Sequence, residues 1–436
     1  MDIPEQLLEM AAEGSEQAEV FHLQRLESPI HFEANQLKSI ETREMAGAAL
    51  RLIKDGRVGF GSTTNLSTPE KLIGVALETA PFGVEAKFEF PGPAAYPDVP
   101  VYDPAVEQSR LDEMVSLGQS VIDTVRSYSD EVQVGGSVSR SVSTISLLNS
   151  RGARSVYTKS TYSLGFEGTV IRGEDMLFVF DFMSSCHPIT DATSVAENMI
   201  RQLRLADVTA PMTTGVMPVI FTPTAVSSIL LSPLVSGLNG KTVLLGTSPL
   251  VDKRGERIVD ARFGLTDDPT IPFIPGSRPS DDEGVASRRM PLIDQGVAAN
   301  FMYDLQTGAQ SGVVSTGNGE RGLGSLPGPS TSVLTVAEGD AEWEDLLAEI
   351  KDGLVIERLL GAGQSNILGG DFNANVLLGY KVENGCIVGR VKDTMVSGNV
   401  YRALNNLIGI GNTGRWLGGG LFTPAIACAD VEVTSK

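Results

Sequence analysis

Apolar positions recur at helical spacing in four stretches of the first half of the chain and follow strand-like patterns between them. Residues 3–12 put Leu7, Leu8 and Ala11 or Ala12 on one helical face, and Gly14 ends the run. Strands are predicted at 18–26, 30–40 and 46–53, with Lys54-Asp-Gly-Arg57 as a tight hairpin turn into 58–62. Thr68 as N-cap and Pro69 at the first helical position open a helix that runs to Thr79. Residues 90–104 hold repeated prolines, which fix φ and remove donors, so they read as an extended spacer. A second round of the same elements follows. The helix at 106–127 carries Leu111, Met114, Val115, Val121, Ile122 and Val125, strands are predicted at 132–138, 143–150, 155–169 and 176–184, and a helix at 192–207. Both rounds read helix, strands, helix, an architectural duplication without residue-level similarity.

From Thr213 the pattern changes to short apolar strands between glycine-rich turns. A strand at 216–221 leads into a helix from Thr222 to Leu238, with Pro233 able to kink it. Strands are predicted at 242–245, 257–261, 376–381 and 387–391, with a lone acidic helix at 342–351. The expected fold class is α+β: an N-terminal half made of two helix–strands–helix units, then a β-rich C-terminal domain of mainly antiparallel strands. The predicted divisions are 1–89, a proline-rich linker at 90–105, 106–212 and 213–436.

Composition narrows the function classes. A length of 436 residues predicts two or three domains. The net charge of −20 argues against nucleic acid as a partner, since duplex binding needs Lys and Arg to neutralise phosphates. The apolar runs fall short of the ~20 residues a membrane helix needs. Met1-Asp-Ile-Pro-Glu lacks a basic, then apolar leader, and three widely spaced cysteines (Cys186, Cys386, Cys428) suit reduced thiols, so a cytoplasmic protein is expected.

The densest polar stretch is 276–289, with Arg278, Asp281, Asp282, Glu283, Arg288 and Arg289. It precedes an apolar hairpin whose turn is Asp294-Gln295-Gly296. Such a loop either presents polar groups to a ligand or neutralises itself through internal ion pairs. Asp281, Asp282 and Glu283 also suit acid–base work or a divalent ion in principle.

Here the chain resembles a known family. Arg278-Pro-Ser-Asp-Asp-Glu-Gly-Val, Arg288 and Leu292-Ile-Asp-Gln-Gly-Val are similar to the C-terminal domain of the TldD/PmbA family, in its PmbA (TldE) branch, often labelled modulators of DNA gyrase. Thr316-Gly-Asn-Gly-Glu-Arg321, Asp352-Gly-Leu-Val-Ile-Glu, Gly369-Gly-Asp-Phe-Asn and Gly398-Asn-Val resemble its later segments. The resemblance covers essentially the whole chain, most specifically 216–430. It implies a subunit of a metallopeptidase system for unfolded or modified peptides, in which a TldD-type partner supplies zinc and catalysis. The expected pairings are a heterodimer with that partner or a homodimer, with peptide substrates and no cofactor in this chain. Arg278, Asp281, Asp282, Glu283 and Arg288 are the main candidate peptide or partner contacts. Asn318, Arg321, Asn366 and Asp371 are lesser ones, for which local turn chemistry is the alternative.

Catalytic motifs are otherwise sparse. The three histidines, His22, His31 and His187, form no helical metal pair. The TldD branch carries a zinc-binding His-Glu-x-x-x-His helix after the strand matching 216–221. The segment here, Ala225-Val-Ser-Ser-Ile-Leu-Leu-Ser-Pro-Leu-Val-Ser-Gly-Leu-Asn-Gly, has neither His nor Glu. A zinc site assembled in space from His22, His31 and a cysteine stays open at this point. Adjacent Cys186 and His187 point to opposite faces of an extended chain, which speaks against a catalytic pair. Gly409-Ile-Gly-Asn-Thr-Gly414 matches G-x-G-x-x-G without the strand-to-helix context. Gly237-Leu-Asn-Gly-Lys-Thr lacks the earlier glycine of a phosphate loop, position 235 being Val.

Overall fold

The alternation of the first half becomes a single sheet in the computed structural model, which describes residues 2–435 apart from the Gln364 side chain. Its strands are β1 (Gln17–Glu33), β2 (Gln36–Ile40), β3 (Arg43–Lys54), β4 (Arg57–Thr63), β5 (Gln133–Asn149), β6 (Arg154–Arg172) and β7 (Asp175–Ser185). All pair antiparallel in the order β4-β3-β1-β5-β6-β7, with β2 pairing β1 beyond the end of β3. The two units therefore meet at β1 and β5, each contributing its own meander.

Two strands run longer than the pattern suggests. The apparent breaks at Pro29 and at 139–142 lie inside β1 and β5. Pro29 sits where the partner of β1 changes from β3 (last pair Glu27 with Arg43) to β2 (first pair Ile30 with Ile40), so its missing N–H breaks no ladder on that side. In β5, Ser137, Ser139, Ser141 and Ser143 fall on one face and Val138 and Val142 on the other, so the alternation never stops.

One face of the sheet is covered by helices α1 (Ile3–Ala12), α2 (Pro69–Thr79), α4 (Leu111–Tyr128) and α5 (Thr193–Leu205), with α3 (Pro104–Gln108) a single short turn before α4. Leu7 and Ala11 of α1 pack with Ala18 and Val20 of β1 and Leu72 of α2. Met114, Val121 and Val125 of α4 join Met199 of α5 over Phe32, Val138 and Phe166. Thr68 stands at the N-cap of α2 without a side-chain hydrogen bond.

The second half builds an eleven-stranded sheet. Its strands are β8 (Gly215–Phe221), β9 (Leu265–Asp267), β10 (Met290–Asp294), β11 (Val297–Ala298), β14 (Leu334–Val336), β15 (Asp352–Leu360), β16 (Asp371–Glu383), β17 (Cys386–Arg390), β18 (Thr394–Asn399), β19 (Leu407–Leu417) and β20 (Leu421–Ser435); β12 (Gly319–Glu320) and β13 (Gly328–Pro329) pair separately. Strands β8, β15, β16, β18 and β20 pair in turn and close a barrel. Val219, Phe221, Ile356, Phe372, Val396 and Ile426 share one core. Ile220, Val355 and Tyr380 join the core under α4 and α5, so apolar packing crosses between the halves.

Three local expectations are corrected. Residues 242–245, read as a strand, belong largely to a short helix, Gly240–Leu244. Residues 257–261 make only an isolated bridge, Arg257 to Val297. The helix after β8 is not uniform: Pro223–Ala225 is α-helical, Val226–Leu231 is π-helical, and Ser232–Gly237 is α-helical again. Pro233 has no N–H for the i−4 bond and its ring crowds that carbonyl, which accounts for the wider winding just before it. Among the described residues, no helix is long and apolar enough to cross a membrane.

Candidate functional site

The polar stretch that stands out in the sequence is folded inward. Arg278, Asp281, Asp282 and Glu283 are all buried, while Arg288 and Arg289 are exposed. Asp281 organises the loop through backbone donors: its Oδ1 accepts from the N–H groups of Glu283 (3.0 Å) and Val285 (2.8 Å), and its Oδ2 from Gly319 (2.9 Å). This turn needs a left-handed residue at Gly284, φ +79°. Asp282 accepts from the Arg321 N–H at 3.0 Å and pairs with Arg278 at 3.3 Å.

Its counterpart comes from the helix-free face of the N-terminal sheet. Strand pairing places Glu19 of β1 opposite Arg51 of β3, and Arg51 reaches Glu19 at 3.0 Å and Glu283 at 2.7 Å. Glu283 uses its other oxygen to accept from the Leu305 N–H at 2.7 Å. The Arg321 guanidinium lies 3.0 Å from Glu19 and 4.6 Å from the Phe21 ring centre. Phe88, just before the proline-rich linker, and Phe90, its first residue, flank Arg51 at 5.0 and 4.9 Å. The linker itself bonds to both halves: Tyr96 donates to the Gly284 carbonyl at 3.0 Å, and the Pro91 carbonyl accepts from Asn149 Nδ2 at 2.9 Å. Arg51 is held this deep by two carboxylate partners, and removing either weakens the compensation of a buried charge.

Carboxylates outnumber guanidinium groups here, and titration follows. Burial, with Asp281, Asp304 and Glu19 nearby, pushes Glu283 up to about 8 despite Arg51. Burial pushes Asp281 up to about 6, opposed by Arg278 and three backbone N–H groups. Across the sheet, desolvation and then Arg278 push Lys159 of β6 down to about 8.

Of the remaining candidates, Asn318 is buried beside the loop, donating to Asp267 at 2.7 Å and to the Ser330 carbonyl at 2.9 Å. Arg288 reaches the Ser315 carbonyl at 3.5 Å. Asn366 and Asp371 lie apart from this network. Asn366 caps Gly369 and donates to Asp371 at 3.3 Å, and Asp371 accepts from Asn399 at 2.9 Å, all turn chemistry on the barrel. Sequence reading missed Glu19, Arg51 and Lys159. The available signal was a charged residue interrupting an apolar strand, as Glu19 does between Ala18 and Val20.

Between the sheet and the buried loop lies a cavity of about 640 Å³. Its floor includes Phe21, Leu23, Arg25, Ser143, Ile145 and Lys159; its far wall includes Arg278, Asp282, Arg321 and Leu323.

The histidines do not converge. His22 and His31 are nine positions apart on β1, about 30 Å at strand rise. His22 is buried, its pKa pushed down by desolvation. His187 Nδ1 pairs with Asp103 at 2.7 Å, and its ring lies 4.3 Å from that of Phe273. Cys186 is buried, its thiol pushed up to about 11. Among the described residues, no three His, Cys, Asp or Glu side chains are grouped to hold a metal ion. Residues 409–414 lie within β19, so the glycine pattern there opens no nucleotide-binding helix.

Comparison with known proteins agrees with this architecture. Residues 214–435 match the family model described as the PmbA/TldA metallopeptidase C-terminal domain, and residues 18–80 match domain 1 of the same family. An uncharacterised protein of Methanocaldococcus jannaschii is 25% identical over 434 residues, 98% of each chain. Metalloprotease PmbA of Escherichia coli is 23% identical over 418 residues, 93% of this chain and 89% of that one. The crystal structure of TldE from Thermococcus kodakarensis superposes with a TM-score of 0.90 over 100% of both chains at 24% identity, a likeness of fold. The family model that spans the barrel and the buried polar loop covers half the chain, and this protein belongs to the PmbA/TldD metallopeptidase family.

Proposed function

We propose that this chain is a non-catalytic subunit of a TldD/TldE-type peptidase system in the cytoplasm. It acts with a TldD-type zinc subunit on unfolded or modified peptides. The observation that carries this reading is the segment after β8. Where the sequence resemblance sets the other branch's His-Glu-x-x-x-His, this chain has Val226, Ile229, Leu230, Leu231 and Leu234, all packed into the core. The segment offers zinc no His, Cys or carboxylate donor. The full-length likeness to a TldE and to a metalloprotease PmbA supports the peptidase system over an unrelated binding role. A homodimer is the expected state in the partner's absence.

The test is zinc content per chain by elemental analysis, followed by an unstructured-peptide cleavage assay with and without a TldD-type subunit. Expected are no stoichiometric zinc, no cleavage alone, and cleavage in the mixture beyond that of the partner by itself. One zinc per chain with chelator-sensitive cleavage by this chain alone would overturn the proposal. Peptide or partner binding without any effect on cleavage would favour a non-enzymatic regulator, the role suggested by the gyrase-modulator label.

A further inference from the structure

The cavity between sheet and loop has a charge balance opposite to that of the whole chain. The protein carries a net −20. Four cationic residues, Arg25, Lys159, Arg278 and Arg321, line the cavity against two carboxylates, Asp282 and Glu320. Asp282 is already engaged by Arg278 and by a backbone N–H of the far wall.

Several cationic donors there lack acceptors. Arg321 is buried, yet among the described residues none of its three side-chain nitrogens finds a hydrogen-bond acceptor; its 3.0 Å approach to Glu19 is an ion pair without an aligned N–H. Arg278 Nε and Ser332 Oγ, in two further lining residues, are buried without partners among the described residues. These atoms are closed off from the cavity itself; the cationic side chains open to it are Arg25, Lys159 and part of Arg278. Arginine forks suit the two oxygens of a carboxylate. Lys159 sits across from them, on β6 in register with Ser143, which in turn is opposite Arg25. Among the described residues, no carboxylate pairs with its ammonium.

Hydroxyl side chains and an apolar patch complete the lining. Phe21, Leu23, Ile145 and Leu323 form one patch beside the cations. At about 640 Å³ the cavity is within the range of small-ligand sites. We propose that it binds a carboxylate carried on an apolar group, the chemistry of a peptide C terminus ending in an aliphatic residue. The cations take the terminal carboxylate and the apolar patch takes the last side chain. The site stands on its own geometry; only the peptide source of the carboxylate rests on the peptidase-subunit reading.

Titration calorimetry on the full chain tests it, with an N-acetylated unstructured peptide ending in leucine, as free acid and as C-terminal amide. Amidation is expected to weaken binding about tenfold or more, as loss of a charge-assisted contact does. Lys159→Met should abolish that preference while leaving the melting temperature unchanged. Arg278→Met should do the same and is read beside its melting temperature, because it also removes the partner of Asp282. N-acetyl-leucine separates the sources: weaker binding than the peptide acid assigns the site to peptide ends, and equal binding assigns it to free apolar acids. Equal affinity for acid and amide, or an acid preference intact in Lys159→Met, would overturn the site. No cleavage is read, so failure of the partner-dependent peptidase test leaves this result standing.

Discussion

Glu283 sits among more carboxylates than guanidinium groups, and this gives it a distinct pH signature. Its folded pKa, about 8, lies above the 4.5 of the free side chain. The folded state therefore keeps a proton that the unfolded state releases. The stabilisation this provides is fully present below the unfolded value and is lost as pH rises through the folded one. Glu283→Gln cannot titrate, so its stability should decline less steeply than wild type from about pH 5 to 8, by up to about 1.4 kcal/mol per pH unit. Denaturant unfolding at a series of pH values checks this, and parallel wild-type and variant curves would refute it. Salt should alter the difference little, because the loop is buried and weakly screened.

Helix α4 shows how one element is set by its contacts more than by its propensity. Gly118 lies in its interior, where glycine ordinarily costs about 0.5–1 kcal/mol relative to alanine. A Cβ there would come within 2.4 Å of the Phe32 ring and 3.2 Å of Val138, so glycine lets the helix lie close on the sheet. Overpacking a core costs typically about 1–3 kcal/mol, more than the helix would gain, so Gly118→Ala should be net destabilising by about 1 kcal/mol. Gly74 in α2 is the control. Nothing lies within 4 Å of its added Cβ, and Gly74→Ala should stabilise by about 0.5–1 kcal/mol. Urea midpoints moving in the same direction for both would contradict the packing account.

At the scale of the molecule, the halves are joined by charged and hydrogen-bonded side chains and by apolar core. Arg51–Glu283 (2.7 Å), Arg201–Glu357 (2.5 Å) and Arg415–Asp181 (2.6 Å) all cross between them. Core residues of α4 and α5 are continuous with Ile220, Val355 and Tyr380 of the barrel. Scanning calorimetry should therefore show one cooperative unfolding transition. A resolved earlier transition would mean that the barrel and the N-terminal sheet unfold independently.

The sequence by itself determined much of the local order. Helical periodicity placed α1, α2, α4 and α5, and the left-handed turn at Gln295-Gly296 (φ 46° and 78°) falls where the hairpin was read. These signals are local: a repeat of 3.6, a repeat of 2, or a glycine where the backbone requires it. Strand continuity was legible only in part. Pro29 reads as a break until the partner of β1 is seen to change beside it. The site was half legible. Its loop stood out as a run of charge, but whether that charge faced solvent or the interior depended on residues more than 200 positions away. Arg51 meets Glu283 across 232 positions, and no local spacing encodes that contact. The same holds for Lys159, an ordinary strand lysine until β5, β6 and the 320s loop enclose it. Sequence determined which residues alternate and where the chain turns; tertiary structure decided which charges are buried together, because burial and pairing belong to the surfaces that long-range packing brings into contact.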